Sequence, residues 1–152
     1  MKKILVIHGP NLNLLGRREP EIYGTKSLGD LNALIAEHAR DRGVELDTFQ
    51  SNHEGDLIDR IQAAGGVGGE PSQLADAIVI NPGAYTHTSL AIADAISGTG
   101  VPAVEVHLSN INSRGELRAR SLVAGVCAAQ ITGYGFDSYV RGIDAAIALL
   151  EA

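Results

Sequence analysis

Short apolar, β-branched runs alternate along this chain with segments whose apolar residues recur every three or four positions. The runs at Lys3–His8, Val44–Gln50, Ala77–Asn81, Val101–His107 and around Gly125–Gly133 predict five strands. Between them lie five helix signals. Leu28, Leu31, Ile35 and Ala39 mark the first, with Ser27 as N-cap and Gly43 as stop. Leu57, Ile58 and Ile61 mark the second and Ala91–Ile96 the third, while a short fourth covers Glu116–Leu122. Val140, Ile143, Ile147 and Leu150 mark the last, opened by Asp137.

The strand candidates are apolar on both faces, as parallel strands buried between helices are. Strict strand–helix alternation predicts an α/β doubly wound sheet, and five strands predict a flavodoxin-like three-layer sandwich with parallel order 2-1-3-4-5. No repeat or interdomain linker interrupts the pattern, so residues 1–152 read as a single domain. Gly65–Gln73, rich in glycine, reads as a flexible loop at the amino end of the third strand. In such sheets ligands bind beyond the carboxyl ends of the strands. Strands 1, 3 and 4 run there into Gly9-Pro-Asn-Leu-Asn, Asn81-Pro-Gly-Ala-Tyr-Thr-His and Glu105-Val-His-Leu-Ser.

Composition narrows the chemistry. The net charge is −6 and only six residues are aromatic, with no basic stripe among them, which argues against nucleic acid as a partner. Arginines nonetheless cluster at Arg17-Arg18 and at Arg114, Arg118 and Arg120, where they can receive an anion. The single Cys127, in an apolar run, excludes an intramolecular disulfide and reads as a buried structural thiol in a reducing compartment. The apolar run after Met1-Lys2-Lys3 is too short for a signal peptide, and no stretch has membrane-span length. A cytoplasmic protein is expected.

The first loop, Gly9 to Gly24, lacks the glycine spacing of a dinucleotide site and the ending of a P-loop. Its length and its Arg17, Arg18, Glu19 and Tyr23 fit either a functional lid or a solvated loop with Tyr23 as hinge anchor. The third loop places Asn81 directly after a strand and His87 at a helix entrance, where Thr88 or Ser89 can cap. Strand alternation puts Glu105 and His107 on one face, so the carboxylate can orient the imidazole and favour its protonated form. Leu108 and Ser109 then offer backbone N–H groups to an anion. His8, His87 and His107 end neighbouring segments, which raises a metal site, but no His-x-x-x-His pair supports one; His38 and His53 lie elsewhere. The only lysines, Lys2, Lys3 and Lys26, give no buried candidate for a Schiff base. Acid–base chemistry without metal or cofactor remains.

Four blocks resemble the type II 3-dehydroquinate dehydratases in order and spacing. They are Gly9-Pro-Asn-Leu-Asn-Leu-Leu-Gly-Arg-Arg-Glu-Pro-Glu-Ile-Tyr-Gly24, Gln50-Ser-Asn-His-Glu-Gly-Asp-Leu-Ile58, Asn81-Pro-Gly-Ala-Tyr-Thr-His-Thr-Ser89 and Glu105-Val-His-Leu-Ser-Asn110. The resemblance implies a hydro-lyase that converts 3-dehydroquinate to 3-dehydroshikimate and water through an enolate. It implies Tyr23 as base, made more acidic by Arg18, with Asn11 holding a water at the enolate. It implies His107 as acid, oriented by Glu105. Asn81, Leu108 and Ser109 would bind the substrate carboxylate, and His87, Arg118 and Asp94 the ring hydroxyls. It also implies a homododecamer built from trimers, with Asp94 serving a neighbouring copy. After Arg118 the chain departs from the family's usual pattern, reading Ala119-Arg120-Ser121-Leu122, and Leu117 stands where phenylalanine is common. The competing reading is a non-catalytic flavodoxin-like module for a nucleotide or phosphate, which leaves Tyr23, Arg18, Glu105 and His107 without a task.

Overall fold

The strand β1 (Lys3–His8) is buried from Ile4 to His8, because it lies at the centre of the sheet with helices on both sides. The computed structural model describes residues 1–17 and 20–152, with Ile22 and Tyr23 described in backbone only. β2 (Glu45–Gln50), β3 (Ala77–Asn81), β4 (Ala103–His107) and β5 (Ala129–Thr132) complete a parallel sheet in the order β2-β1-β3-β4-β5. This is the flavodoxin-like order that the alternation predicts.

Alternation along the strands assigns the two cores. Ile4, Val6, Val79, Val104 and Val106 face the helices α2 (Leu28–Asp41) and α6 (Asp137–Glu151), meeting Leu31, Ile35, Tyr139, Ile143 and Ile147. Leu5, Ile7, Ile78 and Ile80 face α3 (Glu54–Ala64) and α4 (Leu90–Thr99), meeting Leu57, Ile61, Ile92 and Ile96. Burying each such side chain contributes about 1.5–3 kcal/mol, so these two apolar layers dominate the fold's stability. The strands at the edges differ from expectation. β2 and β5 are half exposed rather than apolar on both faces, since each has one open side and only part of a helix over it.

Two helices start as predicted. Ser27 Oγ accepts the Asp30 N–H (3.1 Å) and Asp30 Oδ2 accepts the Ser27 N–H (2.9 Å), which closes a capping box on α2. Ser89 Oγ accepts the Ile92 N–H at 2.9 Å, so Ser89 rather than Thr88 caps α4. The fourth predicted helix shrinks to α5 (Glu116–Ala119), after a one-turn α1 at Pro20–Tyr23. The Gly65–Gln73 segment, expected as a flexible loop, is tied down. It ends in a 3-10 turn at Pro71–Gln73, Arg60 donates to the Gln73 carbonyl (2.8 Å), and Lys3 Nζ donates to the Ser72 carbonyl. As predicted, it lies at the amino end of β3. Among the described residues no helix is long and apolar enough to cross a membrane.

Strand register then brings chemistry to one edge. His8 lies beside Asn81, Ile80 beside Glu105, and His107 beside Thr132. Gly9 closes this edge by donating its N–H to the Asn81 carbonyl (2.8 Å), and a Cβ on it would sit 2.4 Å from the Pro82 oxygen. Gly9→Ala is therefore expected to lower stability by about 1–3 kcal/mol and to displace the loop after β1. Gly55→Ala, where a Cβ in α3 meets nothing within 4 Å, is expected to raise stability by up to about 1 kcal/mol. Urea denaturation of the two variants checks the contrast, and equal effects would refute the close-approach argument.

Candidate active site

Glu105 is fully buried on β4, and its carboxylate is surrounded by donors. His107 Nε2 donates to Oε2 at 2.5 Å, and Gln130 Nε2 donates to the same oxygen at 3.0 Å. Ser121 Oγ lies 2.9 Å from Oε1 and 3.0 Å from Oε2. Burial pushes the carboxyl pKa up, but the His107 hydrogen bond and charge, with Gln130 and Ser121, outweigh it and hold it below its usual value. The carboxylate therefore stays ionised and fixes the imidazole beside it. Ser121 is itself held by the backbone N–H groups of Val123 (3.2 Å) and Ala124 (3.0 Å). The chain peels away from α5 to deliver this hydroxyl.

His107 lines a cleft beyond the carboxyl ends of β1, β3 and β4, with Asn11, Asn81, His87, Leu108, Ser109 and Arg118 among its walls. Seven of the eleven residues singled out as site candidates thus share one concavity, and an eighth, Glu105, braces it from below. Asp94 is not among its walls and stands exposed on α4. Arg18 and the Tyr23 side chain lie outside the described residues.

The walls are positioned from the backbone. Asn11 adopts a left-handed φ of 68°, and its N–H donates to Asn52 Oδ1 (3.0 Å). Gln50 Nε2 donates to the Gly9 carbonyl (3.2 Å) and to Asn52 Oδ1 (3.1 Å), so the end of β2 pins the first loop. His87 Nδ1 lies 2.8 Å from the Arg120 carbonyl, which can only accept, so Nδ1 carries a proton and donates it there. Beyond β4, Gly135 donates to the Leu108 carbonyl (2.9 Å). Arg118 reaches the cleft, while Leu117 beside it is 87% exposed.

The grouping of arginines resolves unevenly. Arg114, not among the predicted site residues, joins Arg118 in the wall, whereas neither Arg17 nor Arg120 is among the lining residues. Gln130 and Ser121 were also missed. Nothing in the local sequence marks them, because only strand pairing (Glu105 opposite Gln130) brings the first into reach. Cys127 is half-buried, and burial, with the Glu105 charge behind it, pushes its thiol up to about 12, so it stays protonated.

His8 does not join the other two histidines. It is fully buried on the opposite face of the sheet, with Nε2 2.8 Å from Asn32 Oδ1 and Nδ1 3.0 Å from the Tyr139 hydroxyl. The proposed convergence of three histidines therefore fails, because strand alternation sends His8 toward α2 and α6. Among the described residues no group of three His, Cys, Asp or Glu side chains is placed to hold a metal ion.

Three comparisons agree with this fold. The model of the family Dehydroquinase class II matches residues 2–147. The 3-dehydroquinate dehydratase of Geotalea daltonii is 55% identical over 143 residues, covering 94% of each chain. That of Caldicellulosiruptor bescii is 49% identical over 151 residues, covering 99% of this chain and 100% of its own. The crystal structure of the type II dehydroquinase from Butyrivibrio crossotus superposes with a TM-score of 0.89 at 46% identity, covering 96% of this chain and 97% of that one. An α/β sheet of order 2-1-3-4-5 with its cleft at the carboxyl edge defines a flavodoxin-like class of protein. Within it, this chain belongs to the class II dehydroquinase family.

Burial also makes the site's foundation sensitive to acid. Desolvation, only partly offset by Asn32, lowers the His8 pKa from 6.5 to about 4. Between these values the unfolded chain takes up a proton that the folded chain refuses, so stability falls as pH drops from 6.5 toward 4. Denaturant unfolding at pH 7 and pH 4.5 is expected to show about 2 kcal/mol of loss from this residue. His8→Gln should lack that component, and an identical pH slope in the two proteins would contradict it.

Proposed function

We propose that this chain is a hydro-lyase that removes water from 3-dehydroquinate to give 3-dehydroshikimate through an enolate, with Tyr23 as base and His107 as acid. The observation that carries the reading is the buried Glu105–His107 pair at the base of a cleft walled by Asn11, Asn81, His87 and Arg118. Family membership and the relatives' shared name support the reaction.

The steps follow from what these groups can do. Tyr23 as tyrosinate takes the proton from the carbon beside the ketone, and the electron pair moves onto the ketone oxygen. A water held by Asn11 stabilises that oxyanion. The enolate then re-forms the ketone and expels the hydroxyl on the neighbouring carbon. His107 gives it a proton so that it leaves as water, and Glu105 stabilises the imidazolium before the transfer. Asn81 and the backbone N–H groups of Leu108 and Ser109 hold the substrate carboxylate, while His87 and Arg118 bind ring hydroxyls. Asp94 is exposed and is not among the walls of its own chain's cleft, which supports a role for it in the site of a neighbouring copy, within a trimer-based dodecamer.

A free tyrosine has a pKa near ~10, so only about one in a thousand is ionised at neutral pH. A guanidinium within hydrogen-bonding range lowers that value by roughly 1–3 units, which is the task assigned to Arg18. No metal, cofactor or Schiff base enters the scheme.

Incubation with 3-dehydroquinate is expected to generate the ultraviolet absorbance of a conjugated enone; EDTA should leave this activity intact, and prior treatment with borohydride in the presence of substrate should not inactivate the protein. The two acid–base roles separate in deuterated water. His107→Ala should slow dehydration yet still exchange the substrate's α-proton, whereas Tyr23→Phe should abolish exchange. Equal loss of exchange in both variants would refute the division of roles. No absorbance change with the unmodified protein would refute the reaction itself.

A further inference from the structure

Ser121 sits between two residues that are tied through their backbone. The Arg120 carbonyl accepts from His87 Nδ1 at 2.8 Å, and the Leu122 N–H donates to the Thr86 carbonyl at 2.8 Å. Between these ties the serine turns its hydroxyl onto the buried Glu105 carboxylate, with Oγ 2.9 Å from Oε1 and 3.0 Å from Oε2. It reaches the carboxylate from behind, since Ser121 is not among the walls of the cleft.

A hydroxyl has one proton to give and two lone pairs with which to accept. The backbone N–H groups of Val123 (3.2 Å) and Ala124 (3.0 Å) both donate to Ser121 Oγ, so its lone pairs are taken. Its proton then goes to Glu105, and its oxygen has no lone pair left for a proton coming the other way. The other two donors are free to reverse. A neutral imidazole carries its proton on either nitrogen, so His107 Nε2 can accept as well as donate. The Gln130 amide, on an exposed residue of β5, can turn its oxygen toward the carboxyl in place of Nε2. Ser121 alone is fixed in sign, and a hydrogen bond always donated to a carboxyl favours its charged form.

The proton between Glu105 and His107 has two possible owners. On Glu105 it would leave a neutral acid beside a neutral imidazole, and His107 would have one proton fewer to give. We infer that Ser121 is a positioning residue for this proton: its locked hydroxyl keeps Glu105 ionised, so that the proton stays on the imidazole. The inference rests on the proposed reading that His107 is the acid. Although burial pushes the Glu105 carboxyl up, His107, Gln130 and Ser121 together hold it below its usual value. Among the described residues the other titratable group that feels its charge is Cys127, whose thiol is pushed up to about 12 and stays neutral.

Two measurements test it. One is the titration of the Glu105 carboxyl by ¹³C NMR of glutamate-labelled protein, its signal assigned by its loss in Glu105→Gln. The other is the steady-state kinetics with 3-dehydroquinate across pH. In Ser121→Ala, Glu105 should titrate about one pH unit higher, and the acid limb of kcat should move with it. At pH 7 kcat should fall about three- to tenfold while KM stays within about twofold. Ser121→Thr keeps the hydroxyl and should restore both values. Adding Ser121→Ala to Glu105→Gln should lower kcat no further, because an amide competes for no proton.

A fall in kcat with the Glu105 titration unmoved, or a fall that multiplies in full with that of Glu105→Gln, marks a merely structural serine and overturns the inference. A raised titration with kcat unchanged at every pH refutes His107 as the acid, and the task of Ser121 with it. Should Ser121→Ala fail to fold, Ser121→Cys fills the same space with a weaker donor and should raise the Glu105 titration by a smaller step. No step there, or a Glu105 in the unmodified protein that titrates at or above the ordinary glutamate value, overturns the inference.

Discussion

A carboxylate with no exposed surface is the constraint around which this site is organised. Taking Glu105 out of water is unfavourable by several kcal/mol unless its oxygens are met by donors, and breaking such a pair from one side strands a buried charge. The chain answers with three side chains from three segments: His107 from the same strand, Gln130 from the neighbouring strand, and Ser121 from the turn after α5. Each donor is also a structural tie. The carboxylate that orients the imidazole thereby locks β4, β5 and the Arg118-bearing segment into one arrangement.

The same economy governs the other strand ends. The two faces of the sheet carry different polar clusters at its carboxyl edge. Glu105 and His107 lie on the face covered by α3 and α4, and His8, Tyr139 and Asn81 on the face covered by α2 and α6. The cleft opens where both clusters reach the end of the sheet, so its walls include His107 from one face and Asn81 from the other. Gly9 closes the space between β1 and β3, where a methyl group would strike the Pro82 carbonyl.

Much of this was legible in the residues, for identifiable reasons. β1 and β3 fall on the predicted bounds because a buried parallel strand has no polar residue until its end. The Ser27 cap was readable, and the cap of α4 was narrowed to Thr88 or Ser89, because capping is a local exchange of hydrogen bonds. The pairing of Glu105 with His107 followed from two-residue alternation alone. Boundaries failed where tertiary contacts decide. β4 starts at Ala103 rather than Val101, since Pro102 has no N–H to give a ladder. β5 shortens because a 3-10 turn at Ala124–Val126 precedes it, and α5 ends early because Ser121 leaves the helix for Glu105. The donors Gln130 and Ser121 and the inward turn of His8 depend on register and layer, which no local window contains. Asp94 was legible only through resemblance, and it is the one described candidate that its own chain does not bring to the cleft or beneath it.

The central claim is that Glu105, as a buried and ionised acceptor, makes His107 an effective proton donor. Glu105→Gln keeps the shape and removes the charge, so steady-state kinetics of this variant with 3-dehydroquinate tests the claim most directly. The account predicts a kcat at least about a hundredfold lower with KM changed only a few-fold, the loss expected when a positioned general acid is disabled. A Glu105→Gln enzyme that folds normally and keeps the unmodified kcat would contradict it.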